Sequence, residues 1–110
     1  MREELSVCEA PIMKIIWESN PDISVPELVK QLNEQYGKEY ARTTVVTFLT
    51  RMAGKGYITT QRRGRISYVH AIKSEQEYKQ QLAQKEIEFW FHGSMAEFAQ
   101  TLCAARSSYT

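Results

Sequence analysis

Apolar residues recur at intervals of three and four along most of this chain, and the breaks in that rhythm divide it into elements. Residues 7–19 place Cys8, Ile12, Ile15 and Ile16 on one helical face. Residues 25–36 do the same with Leu28, Val29, Leu32 and Tyr36, and residues 42–55 with Val45, Phe48, Leu49 and Met52. Pro26 falls in the first turn of the second helix, where its missing N–H is tolerated, and Gly37 and Gly56 end the second and third helices. The pattern then turns β-branched and aromatic. Residues 57–62 and 65–70 predict a hairpin with its turn at Arg63-Gly64. Helical spacing returns over residues 75–91 and again over 95–105, with His92-Gly93 between them, and the residues from Arg106 onward are expected to fray.

Helix starts carry their own signature. Ser6, Ser24, Ser74 and Ser94 are each followed three residues later by glutamate, at Glu9, Glu27, Glu77 and Glu97. In such a box the hydroxyl accepts from a first-turn N–H while the carboxylate reaches back, and its charge suits the helix dipole. Three short helices followed by a hairpin are the order of a winged helix-turn-helix. The expected fold is therefore mainly α with a small β-hairpin: a DNA-binding winged helix over residues 1–73 and a helical dimerisation segment over 74–110.

At 110 residues, with 43% apolar and 25% charged positions, the chain has the composition of a folded domain, not of a disordered one. Its apolar runs fall short of the roughly eighteen residues a membrane span needs, so no membrane insertion is expected. The opening MREELSVCEAP lacks the basic-then-apolar layout of a signal peptide, so a cytoplasmic location is expected. Cys8 and Cys103 have no C-x-x-C neighbour and read as buried thiols, with no metal and no cofactor implied. His70 and His92 lack the carboxylate pair, nucleophile or Gly-rich loop that would give them catalytic work. The chain does not read as an enzyme.

Charge sharpens the picture. Residues 40–74 hold seven of the fourteen Lys and Arg residues and none of the thirteen acids, so a window of +7 faces a remainder of −6 behind the net +1. Such a window suits a polyanion. With Val45, Phe48, Leu49 and Met52 inward, the 100° step per residue turns Thr43, Thr47, Thr50 and Gly54 outward, flanked by Val46 and Arg51. A ridge of short side chains with basic edges can enter the major groove of double-stranded DNA. The expected DNA-binding set is Arg42, Thr43, Thr44, Val46, Thr47, Thr50, Arg51 and Lys55 on the helix, with Arg62, Arg63 and Arg65 on the wing. The competing reading is a winged helix used as a protein-interaction module, of anti-repressor type, without specific DNA binding.

The tail offers apolar surface in excess of its own needs. Tyr78, Leu82, Ile87, Phe89, Trp90 and Phe91 occupy the fourth helix, and Met95, Phe98, Ala99 and Leu102 the fifth. Some thirty-five residues cannot build an independent core, so these faces must bury against the same chain or a second copy. A homodimer is expected, because one winged helix reads too little DNA to be selective.

Several stretches carry a resemblance: Ile12-Met13-Lys14-Ile15-Ile16-Trp17, Thr44-Val45-Val46-Thr47-Phe48-Leu49-Thr50-Arg51-Met52 with Lys55-Gly56, Gly64-Arg65 with Tyr68, Ser74-Glu75-Gln76-Glu77-Tyr78, and Gly93-Ser94. In this order and spacing they resemble the penicillinase-repressor family of winged-helix transcriptional regulators. The resemblance implies a dimeric repressor on an inverted-repeat operator. It also implies a sensor protease as partner, since in the antibiotic-resistance members such a protease cuts an Asn-Phe bond; Thr101-Leu102 stands at the matching place here, which speaks against cleavage. Ala41-Arg42-Thr43 replaces the common Ser-Pro-Lys, and Val46 replaces a frequent basic residue, which implies a different base preference. The paired C-x-C motifs of the copper-responsive branch are missing, and the chain stops before the family's usual final helix, which implies a weaker dimer.

Overall fold

The computed structural model of the protein describes residues 4–19 and 21–108. The chain forms two compact units, residues 1–74 and 75–110. The first contains α1 (Glu9–Glu18), β1 (Ile23–Ser24), α2 (Val25–Tyr36), α3 (Arg42–Gly54), β2 (Ile58–Arg63) and β3 (Ile66–Ala71); the second contains α4 (Glu75–Phe91) and α5 (Met95–Ser108). The α5 helix runs past the expected fraying point at Arg106.

The wing is a three-stranded antiparallel sheet in the order β1-β3-β2, not a bare hairpin. A two-residue strand is too short to display a period, which is why Ile23-Ser24 gave no signal; it pairs Ile23 with Val69 and Ser24 with Tyr68. Arg63 pairs with Ile66, so the hairpin loop is Gly64-Arg65 and not Arg63-Gly64 as expected. Gly64 has φ +67 at the first loop position, the place a II′ turn reserves for glycine.

The core of this unit follows the helical periods. Ile12, Met13, Ile15 and Ile16 of α1, Val25, Leu28 and Leu32 of α2, Val45, Leu49 and Met52 of α3, Tyr57 between α3 and β2, and Ile58 and Val69 of the sheet are all buried. Serines act at helix starts: Ser6 and Glu9 exchange both bonds of a capping box, and Ser24 and Ser94 accept from the N–H groups of Glu27 and Glu97. Three inward expectations fail. Cys8 and Cys103 are both exposed free thiols, Cys8 because it precedes the first helical residue, where the 3.6-residue period no longer governs direction. Tyr36, at the last position of α2, is 40% exposed.

The end of α3 is fixed twice over. Gly56, at φ +86, donates to the Ala53 carbonyl while Tyr57 N–H donates to the Met52 carbonyl, the bond pair of a Schellman motif. Tyr57 C=O then accepts from Ile72 N–H at 2.9 Å, tying the helix end to the end of β3. Beside it Lys55 Nζ lies 2.7 Å from Glu9 Oε1 and donates to the Glu4 carbonyl at 3.2 Å. The Glu9 side chain is fully buried, and its second oxygen has no hydrogen-bond partner among the described residues.

Burial works against ionising Glu9, but the Lys55 ammonium and the Ser6 hydrogen bonds outweigh it and hold its carboxyl below the ordinary 4.5. A carboxyl depressed in this way stabilises the fold fully above its unfolded pKa and loses that contribution as pH falls toward the folded value. Lys55→Met leaves Glu9 buried without its cation, which costs about 3 kcal/mol. Urea denaturation at pH 7 should show that loss, and the gap to the parent protein should narrow as the pH is lowered to about 4, because burial without the Lys55 ammonium favours the protonated form of Glu9 in the variant. An equal gap at both pH values would sink the assignment of the loss to this ion pair.

In the second unit Ile87 is buried and the Phe91 and Phe98 rings meet edge to face at 5.5 Å, which holds α4 and α5 together. His92 (φ +52) and Gly93 (φ +80) turn the chain between them, with Gly93 N–H donating to the Ile87 carbonyl.

Candidate nucleic-acid interface

The α2–α3 turn sets the position of the helix that carries the exposed ridge. Asn33 on α2 grips Tyr40 from both sides, accepting from its N–H at 3.0 Å and donating to its C=O at 3.3 Å. The Tyr40 ring then packs edge-on against Phe48, 5.6 Å away, so the turn is clamped to the middle of α3. Nothing in the local periodicity announces Asn33 or Tyr40 as functional; only an Asn seven residues before an aromatic in a turn could have hinted at them.

With Val45, Leu49 and Met52 buried, α3 turns Thr43, Thr44, Thr47, Thr50, Arg51 and Gly54 to solvent, and Val46 is 43% exposed. Thr47 Oγ donates to the Thr43 carbonyl and Thr50 Oγ to the Val46 carbonyl, each at 3.0 Å. Their hydroxyl protons are therefore committed to the helix, and each oxygen offers lone pairs outward beside its methyl. Unlike α2 and α5, α3 starts at Ala41 with no side-chain cap and no acid in its first turn, so its positive dipole end is uncompensated.

The sheet brings a second surface to the same side. Arg42, Val46 and Thr50 of α3 and Thr60 and Ser67 of the sheet line one cleft of about 310 Å³, and none of the residues lining it is acidic. Alternation along β2 and the Arg62–Ser67 pairing put Arg62 on the face of Thr60 and Ser67, toward α3. Arg62 Nε donates to the Gly64 carbonyl at 3.2 Å, and Arg65 is exposed in the loop.

Two cations of the expected DNA-binding set are engaged elsewhere. Lys55 turns back to Glu9 instead of outward, because the buried carboxylate is a nearer and less hydrated partner than any surface anion. Arg63 occupies the opposite sheet face from Arg62. Its guanidinium lies over the Tyr68 ring at 4.4 Å, meets Gln61 Oε1 at 3.4 Å and pairs with Asp22. Asp22 holds His70 Nδ1 at 2.9 Å through its other oxygen; Arg63 first, then His70, keeps the Asp22 carboxyl below its ordinary range. Lys73, a further base of the basic window, is buried near Tyr57, 5.9 Å from its ring. Arg42, Arg51, Arg62 and Arg65 remain exposed, with no carboxylate within ion-pairing distance among the described residues.

The tail residues divide as well. Ile87 was expected at a dimer interface but is buried, and Phe91 and Phe98 are half-buried against each other. Tyr78 and Leu82 are half-buried, while Phe89, Trp90, Met95, Ala99 and Leu102 are exposed. No helix is long and apolar enough to cross a membrane among the described residues.

Helix, turn, helix and a basic three-stranded wing together define a winged-helix protein. Residues 5–108 match the family described as penicillinase repressor, and the chain belongs to that family, which is one of transcriptional repressors and not of enzymes. No curated protein matches the chain at a significant level. Among solved structures it is similar to the solution structure of the DNA binding domain of the repressor BlaI, with 26% identity and a TM-score of 0.59 over 71% of this chain and 94% of that one. It also shares its fold with the complex structures of hsRosR-S4 (14% identity, TM-score 0.63, 97% of this chain and 93% of that one) and hsRosR-S1 (14%, 0.61, 96% and 94%).

Asn33→Ala should remove both partners of the Tyr40 backbone and lower stability by about 1–2 kcal/mol in urea titrations. A change under half of that would show that the turn does not depend on the clamp.

Proposed function

We propose that this DNA-binding transcriptional regulator acts as a dimeric repressor that lays α3 of each protomer in the major groove of an inverted-repeat operator. Arg42, Arg51, Arg62 and Arg65 meet phosphates, and Thr43, Thr44, Val46, Thr47 and Thr50 meet base edges. The observation that carries the proposal is the acid-free cleft shared by the outward flank of α3 and the Arg62 face of the wing, which aims both at one partner. The uncapped start of α3 adds a second attraction for phosphate. Because the Thr47 and Thr50 protons are held by the helix, the ridge presents acceptors and methyls. Amino groups of adenine or cytosine and the thymine methyl are the base features that suit it.

Dimerisation is supported by the second unit. Phe89 and Trp90, 71% and 65% exposed and in edge contact at 4.8 Å, form an aromatic pair with Met95 and Leu102 also open to solvent. Aromatic residues and Met left unburied on a small helical unit suit an isologous interface.

Anisotropy titrations across salt concentrations should give a log–log slope of about −4 per protomer for four phosphate contacts. Arg51→Ala should weaken every DNA sequence alike and flatten that slope by about one unit; an interaction-only module would bind weakly and show no slope. Sedimentation equilibrium should show a dimer for the parent chain and a monomer for Trp90→Glu. Identical masses for the two would remove Trp90 from the interface.

A further inference from the structure

The outer face of the wing carries a cluster the DNA-binding reading does not use. Asp22 stands directly before β1, in register opposite His70 on β3. One of its oxygens meets His70 Nδ1 at 2.9 Å, and the other takes the Arg63 guanidinium, which has crossed over Tyr68 to reach it. The Asp22 side chain is only 14% exposed, whereas that of Arg63 is 48% exposed and begins next to the Gly64-Arg65 loop. Arg63 is therefore close enough to the wing tip to serve a phosphate, yet its charge is already balanced.

We infer that Asp22 is a specificity-determining residue: it holds Arg63 as an internal ion pair and so withholds one cation from the DNA backbone. Phosphate contacts strengthen binding to every sequence equally, whereas base contacts discriminate. A wing with one contact fewer gives up sequence-independent affinity and keeps what the ridge of α3 provides. Gln61 and His70 share the same sheet face, and neither adds an anion, so Asp22 is the carboxylate that sets the balance there. The Asp22–Arg63 bond also ties the strand before α2 to the far end of β2. A rival role follows: the carboxylate could serve the wing's shape alone.

The inference rests on the DNA-binding reading, and the experiment separates the two. Asp22→Asn keeps the shape and an oxygen for His70 but loses the charge that holds Arg63. Its binding to non-operator DNA should tighten roughly tenfold per protomer at 0.1 M salt, with a log–log slope steeper by about one unit. Adding Arg63→Gln to that variant should return the parent slope. In the otherwise unaltered chain, Arg63→Gln should leave the slope as it is, while Arg65→Gln flattens it. A shallower or equal slope for Asp22→Asn, or a flattened one for Arg63→Gln alone, would overturn the inference and leave Asp22 with a purely structural part. Absence of any salt-dependent binding by the parent chain would instead fail the DNA-binding reading itself.

Discussion

The rotation of α3 about its own axis is the constraint on which the rest of the winged unit depends. Three buried side chains, Val45, Leu49 and Met52, set that rotation, at the four- and three-residue spacing that keeps them on one face. The Asn33–Tyr40 clamp fixes where the helix begins, and the Schellman bonds with the Glu9–Lys55 pair fix where it ends. A helix held at both ends and along one face has no freedom to present anything but its opposite side. Short residues there are tolerable only because the core side supplies the burial; β-branched threonines lower helix propensity and add little packing of their own. The outward ridge is thus a consequence of the inward one, and a slip of one residue would exchange Thr47 for Phe48 at the surface.

Charge is distributed by the same logic. The basic window looks uniform when counted, yet its members have different fates decided by what lies within reach. Lys55 is claimed by a carboxylate that cannot be left alone in the core, and Arg63 by one at the edge of the sheet. Lys73 is buried with its ammonium near an aromatic face. What is left for a partner is the set whose stems start on the exposed flanks of α3 or at the wing tip. Four cations beside an uncapped helix start make a smaller electrostatic footprint than seven would, and a smaller footprint favours base readout over indiscriminate attraction.

The helices were legible in the sequence because their evidence is local. Residues 24–37 carry a capping serine, a first-turn proline, an unbroken apolar period and a terminal glycine, and α2 runs between those caps, from Val25 to Tyr36. The outward face of α3 was legible for the same reason, since it is the complement of an apolar stripe. The misses share the opposite property. Glu9 lies 46 positions from Lys55, and Asp22 lies 41 from Arg63. No period or motif within one element encodes which acid a long cation will find after folding. β1 was invisible because two residues show no alternation. Cys8 was misplaced because a helical period was extended past the point where the helix begins. The split of the tail aromatics, with Phe91 folded against Phe98 and Phe89 beside Trp90, likewise needed the path of both helices.

On the proposed reading, the two units solve one problem jointly. About four phosphate contacts and a handful of short side chains give a single winged helix only modest discrimination, while a genome offers a vast excess of competing sites. Doubling the number of base contacts squares the discrimination, but only if the second copy is held in fixed symmetry with the first. A pair of helices too small to bury its own aromatic residues supplies a reason for that association that is independent of DNA. The α4–α5 unit retains Ile87, Phe91 and Phe98 for its own cohesion and leaves Phe89, Trp90, Met95 and Leu102 uncovered. The economy of charge on the wing and the surplus of apolar surface on the tail then have one rationale. Affinity is built from two weak, selective readers joined by hydrophobic burial, and not from one strongly basic reader that would bind DNA wherever it met it.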